Sequence, residues 1–242
     1  MKQLEDSQLE TFDTEYVNNK RWAIVKEKID KDFPDGNFTF LDIGGGNGKF
    51  ADRLLMAYPK SNGTVLDNSE LLLSKNKTHK RKTLICDSVA NLSKFHQKYD
   101  LVCFNWLLHH LVSDSYTQTR QNMFDTVNIA QSLLTYRGRV SIFENMYNGL
   151  VIDGLPSYLI FSLTSSKYIA SFTKKMGANT AGVGVCFLSK KQWISILKES
   201  NLELLTYLDA GDIWSISWMR KFFLHMGKIH EGHFWLGRPS HI

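Results

Sequence analysis

Hydrophobic positions along the chain alternate between short apolar runs and longer stretches with helical spacing. Residues 39–43, 63–66, 83–86, 99–104 and 139–143 read as five successive strands, each a short β-prone run. The run at 99–104 is apolar almost throughout, as a central parallel strand should be. Between these runs, residues 50–58 place Phe50, Leu54 and Leu55 on one side of a helix. Residues 115–136 predict a long amphipathic helix with Met123, Val127, Ala130, Leu133 and Leu134 inward, closed by Arg137 and Gly138. Ahead of the first strand, residues 9–30 read as a helix or helix pair striped by Phe12, Tyr16, Trp22, Val25 and Ile29, ending at the turn Pro34, Asp35, Gly36. Toward the other end, residues 189–200 form a helix capped by Ser189 with Trp193, Ile196 and Leu197 inward. A sixth strand is expected at 202–207 and a final antiparallel one at 233–237, with an insert rich in Trp, Phe and His at 209–231. Strands alternating with helices predict an α/β fold built on a mostly parallel sheet.

The glycine cluster after the first strand is the most informative stretch. A phosphate-binding P-loop would need Gly at position 43 and Ser or Thr at 50, where the chain has Ile43 and Phe50. A dinucleotide fingerprint can be drawn through Gly46, Gly48 and Ala51, but it leaves Asp42 without a role. The pattern acid-x-Gly-x-Gly-x-Gly is matched at every place by Asp42, Gly44, Gly46 and Gly48. Asp67 follows the second strand, roughly twenty residues on, where a carboxylate can accept ribose hydroxyls or cap the next helix. Asp87 and Ser88 follow the third strand, and Asn105, Trp106, His109 and His110 follow the fourth.

This set resembles the class I S-adenosylmethionine-dependent methyltransferases over roughly residues 40–143, and more loosely over 202–237. Residues 104–111 are similar to the fourth motif region of the small-molecule members, including the ubiquinone and menaquinone group. The resemblance implies a Rossmann-like, seven-stranded sheet with helices on both faces and S-adenosylmethionine as cofactor. Gly44, Gly45, Gly46 and Gly48 would pass beneath its methionine and ribose, near Asp42. Asp67 and Asn68 would take the ribose, and Asp87 with Ser88 the adenine. Asn105 would lie beside the methionine end and Trp106 would pack on adenine or methionine, with Tyr16 and Arg21 capping the site. His109 or His110 would face the reacting methyl as general base, or both would only shape the wall. Glu144, at the end of the fifth strand, would orient an acceptor hydroxyl or amine, or cap a loop.

The family core needs only a helix where residues 146–187 lie. Here Tyr158, Phe161, Leu163, Tyr168 and Phe172 make an apolar stretch, followed by Gly177, Gly182 and Gly184 as hinge candidates. Three readings stay open: core packing, a lid over an apolar acceptor, or, with residues 219–223, a basic-aromatic rim for a membrane interface. One methyltransferase domain is expected, divided into an N-terminal helical cap (1–36), a cofactor core (37–145), a substrate lid insertion (146–187) and the rest of the sheet (188–242).

The apolar fraction of 43% supports a substantial core and excludes disorder. A formal charge of +5 permits an acidic partner or an anionic membrane surface without demanding either. The basic run at 75–82 reads as a solvated helix end, and its lack of interleaved aromatics argues against nucleic acid. Cys86, Cys103 and Cys186 are far apart in apolar surroundings and read as buried, reduced thiols in a cytoplasmic protein. Residues 1–10 are polar and do not read as a signal peptide, and no metal constellation is visible. The expected activity is methyl transfer to an O, N or C atom of a small, largely apolar or aromatic acceptor. The rivals are an RNA or protein methyltransferase, a nicotinamide-dependent oxidoreductase and a non-catalytic cofactor-binding module.

Overall fold

The computed structural model describes residues 1–4, 8, 13, 17–212 and 215–239. Phe12 and Tyr16 lie outside the described residues. Helix α1 (Asn19–Asp32) precedes β1 (Thr39–Ile43), α2 (Lys49–Ala57), β2 (Asn62–Asp67), the short α3 (Glu70–Leu73) and β3 (Lys82–Cys86). Then come β4 (Tyr99–Asn105), α4 (Tyr116–Ser132), β5 (Leu134–Gly149), α5 (Leu155–Ser165) and α6 (Ala170–Lys175). The chain closes with α7 (Lys190–Glu199), β6 (Glu203–Asp212), α8 (Trp218–Phe223) and β7 (Met226–Gly237).

The seven strands form one sheet in the order β3-β2-β1-β4-β5-β7-β6. The first five are parallel, and β7 runs antiparallel between β5 and β6. Strand order reverses between β1 and β4, and the crevice at such a switch point is where open α/β sheets bind ligands. Alternate side chains feed two cores, one on each face. Val25 and Ile29 of α1 and Phe50, Leu54 and Leu55 of α2 pack on Phe40, Leu101 and Phe143. On the other face, Met123, Val127 and Ala130 of α4 and Trp193 and Ile196 of α7 pack on Leu41, Ile43, Val102 and Phe104. Asp32 fastens α1 to the sheet by accepting from Arg139 Nε (2.5 Å) and Trp235 Nε1 (2.9 Å).

Four expectations are corrected. Helix α4 stops at Ser132, and Arg137 and Gly138 sit inside β5, which starts five residues earlier than the apolar run suggested. The cause is Asp100, whose Oδ1 accepts from Thr135 and Arg137 and whose Oδ2 accepts from the Thr39 N–H, holding the entry to β5 against β4 and β1. Much of the 209–231 insert is strand: β6 and β7 pair from Glu203 opposite Gly237 to Asp212 opposite His230, leaving α8 as the helix at their tip. The basic run is not merely solvated. Arg81 donates to the carbonyls of Leu55 and Tyr58 at the end of α2, and the Lys82 ammonium, nearly inaccessible, pairs with Asp52 at 2.6 Å. Cys86 is exposed because β3 is an edge strand; Cys103 and Cys186 are buried as expected.

Candidate active site

The turn after β1 is built on left-handed glycines. Gly44, Gly46 and Gly48 have φ of 71°, 49° and 70°, a region side chains with a Cβ rarely adopt. Space is also a constraint at Gly45, where an added Cβ would stand 2.6 Å from Asp42 Oδ2. The loop is pinned from both sides. Asp67 Oδ2 accepts from the Gly46 N–H at 2.9 Å, while its Oδ1 accepts from the Ser69 N–H at 2.9 Å. The Asn76 amide donates to the Gly46 carbonyl at 2.7 Å, a contact the sequence did not announce.

Beside this turn lies a cleft of about 2050 Å³. A single small-molecule site usually occupies ~300–1,000 Å³, so there is room for a nucleoside and a second molecule. Gly44, Gly45 and Gly46 line one end together with Asp67, Asn68, Ser88, Asn105 and Trp106. His109 and His110 line it further along. Four other candidates, and the capping candidate Arg21, do not reach the lining. Asp42 is buried beneath the glycine turn, accepting from Asn105 Nδ2 at 3.2 Å. Gly48 caps α2 instead, with no room for a Cβ against the Asn76 amide. Asp87 accepts from the Ser88 N–H and from Asn91 Nδ2, both at 2.7 Å, and so holds its own loop. Glu144 stands fully buried behind His109.

The Asp42 carboxyl is pushed up to about 7, chiefly by burial, against the pull of the Asn105 hydrogen bond; the nearby Asp67 carboxylate pushes in the same direction as burial. Its Oδ2 and the Oδ1 of Asn105 are buried without a hydrogen-bond partner. Burial also raises Asp67, opposed by the backbone N–H groups it accepts from. Two acceptor side chains with unfilled capacity beside an open glycine turn fit a ligand that brings an ammonium and hydroxyl groups.

Glu144 does more than cap a loop. Its Oε1 accepts from the backbone N–H of Leu108 (2.8 Å) and of His109 (3.4 Å), and its Oε2 meets His109 Nδ1 at 2.6 Å. Those three contacts fix the short 3₁₀ turn Leu108–His110 and the orientation of the His109 ring. His110 packs against His109 with ring centroids 4.2 Å apart, and burial together with that neighbour lowers its pKa well below the ordinary range. Trp106 adopts φ 55°, unusual for a bulky residue, at a cost of order 1–3 kcal/mol. Its ring stacks on Phe143, its Nε1–H donates to Asn145, and the Arg21 guanidinium lies 4.4 Å from it. Arg21 in turn pairs with Glu231 at 2.5 Å.

Beyond His109 the wall becomes apolar. Phe187 lies 4.6 Å from the His109 ring and stacks on Tyr147 at 4.4 Å. Ile160, Leu163, Phe172 and Met176 from α5, α6 and the residue after it line the same space, as do Met219, Arg220 and Phe223 of α8. Sequence reading pointed to Phe172 and to residues 219–223 but missed Tyr147, Phe187 and Asn76, which carry no motif and gain their place only from the fold. The described residues hold no group of three or more His, Cys, Asp or Glu able to bind a metal.

Residues 40–129 match the family model described as "Methyltransferase domain". No curated protein matches the chain. Among solved structures, the mitomycin 7-O-methyltransferase MmcR is similar with a TM-score of 0.53 and 17% identity, over 85% of this chain and 50% of that one. The plantazolicin methyltransferase BpumL, solved with a monoazolic desmethylPZN analog and SAH, is similar with a TM-score of 0.59 and 14% identity, over 97% and 89%. An O-methyltransferase family 2 protein from Planctomyces limnophilus, solved with apigenin, has a TM-score of 0.52 and 17% identity, over 84% and 51%. The chain thus spans about half the length of two of these three proteins. The family match over residues 40–129, the sheet order and the glycine turn at its switch point give this chain the fold of these solved methyltransferases around a stretch that resembles a methyltransferase domain.

Proposed function

We propose that the protein transfers the methyl group of S-adenosylmethionine to an O, N or C atom of a small, largely apolar or aromatic acceptor, with His109 as general base. The Glu144–His109 pair carries this reading: a fully buried carboxylate holds Nδ1 at 2.6 Å on a ring that lines the cleft. With Nδ1 held, Nε2 is the nitrogen left to take a proton, and Glu144 stabilises the imidazolium that forms.

When bound, the cofactor supplies an electrophilic methyl on a sulfonium. Asp67 would hold the ribose hydroxyls and Asn105, itself held by the buried Asp42, the methionine end, with Ser88 and Val89 at the adenine edge beside Asp87. The aromatic wall of Phe187 and Tyr147 orients the acceptor and excludes water. Residues 146–187 hold the lid over that acceptor, supported by the cleft lining that α5 and α6 provide. Of the solved similar proteins, two are named as mitomycin and plantazolicin methyltransferases and one is solved with apigenin, which favours a small-molecule acceptor here.

The test is incubation with methyl-labelled S-adenosylmethionine and a panel of hydroxylated and amino aromatic compounds. Label should appear in an acceptor together with S-adenosylhomocysteine. Tight cofactor binding with no transfer to any acceptor would instead mark a non-catalytic module. Asp67→Ala should weaken S-adenosylhomocysteine binding by about tenfold or more in calorimetry, the scale of one lost charge-assisted hydrogen bond. An unchanged affinity would remove Asp67 from the site.

A further inference from the structure

The far mouth of the cleft is ringed by large apolar side chains that nothing covers. In α8, which has no buried residue, Trp218 is 73% exposed and Phe222 76%. Val151, 86% exposed, and Ile152 stand beside it, because the N–H groups of both donate to His225 Nε2 just beyond α8. Across the opening, Tyr168 is fully exposed, and Phe172 and Met176 are mostly so. Phe172, Met176, Met219 and Phe223 also line the cleft, so the two sides belong to one rim.

Charge is segregated in the same segments. Residues 154–198 and 213–230 together hold nine Lys and Arg and no Asp or Glu, against a formal charge of +5 for the whole chain. The rest of the chain is therefore net acidic. Lys167, Lys174, Lys175, Arg220 and Lys221 alternate with the exposed aromatics, and none of the five has an ion pair among the described residues. A soluble protein seldom exposes apolar clusters on this scale without a use for them. Aromatic and aliphatic side chains interleaved with cations match the interface of an anionic bilayer, where rings sit at headgroup level and each cation near the surface adds to attraction.

We infer that this rim seats the protein on an anionic membrane surface, with α8, residues 150–152 and α6 as the contacts and the cleft opening toward the lipid. A lipophilic acceptor would then pass from the bilayer to the His109 side of the cleft without crossing water; that last step rests on the methyl-transfer reading, while the docking does not. Among the described residues no helix is long and apolar enough to cross a membrane, so the contact is peripheral.

The test is co-sedimentation of the full chain, without cofactor, with vesicles of phosphatidylcholine alone or mixed with phosphatidylserine. Binding is expected to the mixed vesicles and to weaken with salt. The double variants W218S/F222S and K174E/K175E, at positions outside the cleft lining, should each bind at least about tenfold more weakly. Both should keep the wild-type thermal shift with S-adenosylhomocysteine, which reports the cofactor site independently. Absence of vesicle binding by the folded wild type overturns the inference, as does binding that neither double variant changes. Self-association in sedimentation velocity, abolished by W218S/F222S in the absence of lipid, would also overturn it by assigning the rim to a second copy.

Discussion

Replacing His109 by alanine is expected to slow methyl transfer in single turnover by about 10²–10⁴-fold, the usual contribution of a positioned general base. Cofactor affinity should stay near wild type, since the Glu144 contacts to the Leu108 and His109 N–H groups survive the change. Glu144→Gln should share much of the loss, as a neutral amide no longer stabilises an imidazolium 2.6 Å away. His110→Ala should lose far less. Equal and small losses for His109 and His110 would leave both as wall residues, with alignment alone carrying the reaction.

Asp42→Asn is expected to change the pH dependence of stability. An acid raised from 3.8 to about 7 on folding holds its proton more tightly in the folded state. The stabilisation this gives is fully present below pH 3.8 and is lost as pH rises through about 7. Above that, the apo protein keeps an ionised, buried carboxylate with an unpartnered oxygen. The variant should therefore gain on the wild type between pH 4 and 8, by up to about 4 kcal/mol in unfolding free energy at the alkaline end. Denaturant melts of both proteins across pH read this directly. A stability difference that stays flat with pH would mean that Asp42 titrates as an ordinary carboxylate.

Much of the sheet was legible because its signals are local. Asp42, Gly44, Gly46 and Gly48 fix a turn that only one pattern explains, and the apolar run at 99–104 reads as a central parallel strand. Boundaries failed where distant partners decide them. Asp100 collects Thr39, Thr135 and Arg137 across three strands, so β5 starts where no local pattern marks it. Likewise β6 and β7 extend through the 209–231 insert because they pair with each other. At the site, motif order brought His109, His110 and Glu144 into view together, but their separate roles depend on a contact between residues 35 apart. At Asp87 the motif gives the position but not the local bonds, in which Oδ1 accepts from both Ser88 and Asn91.

Diffraction from crystals soaked in S-adenosylhomocysteine tests the central claim most directly. The nucleoside should lie against Gly44, Gly45 and Gly46, its ribose hydroxyls on Asp67 and its sulfur on the His109 side of the cleft. Density for the ligand at another place, or bound there while Asp67 and Asn105 keep their ligand-free surroundings, would contradict the account.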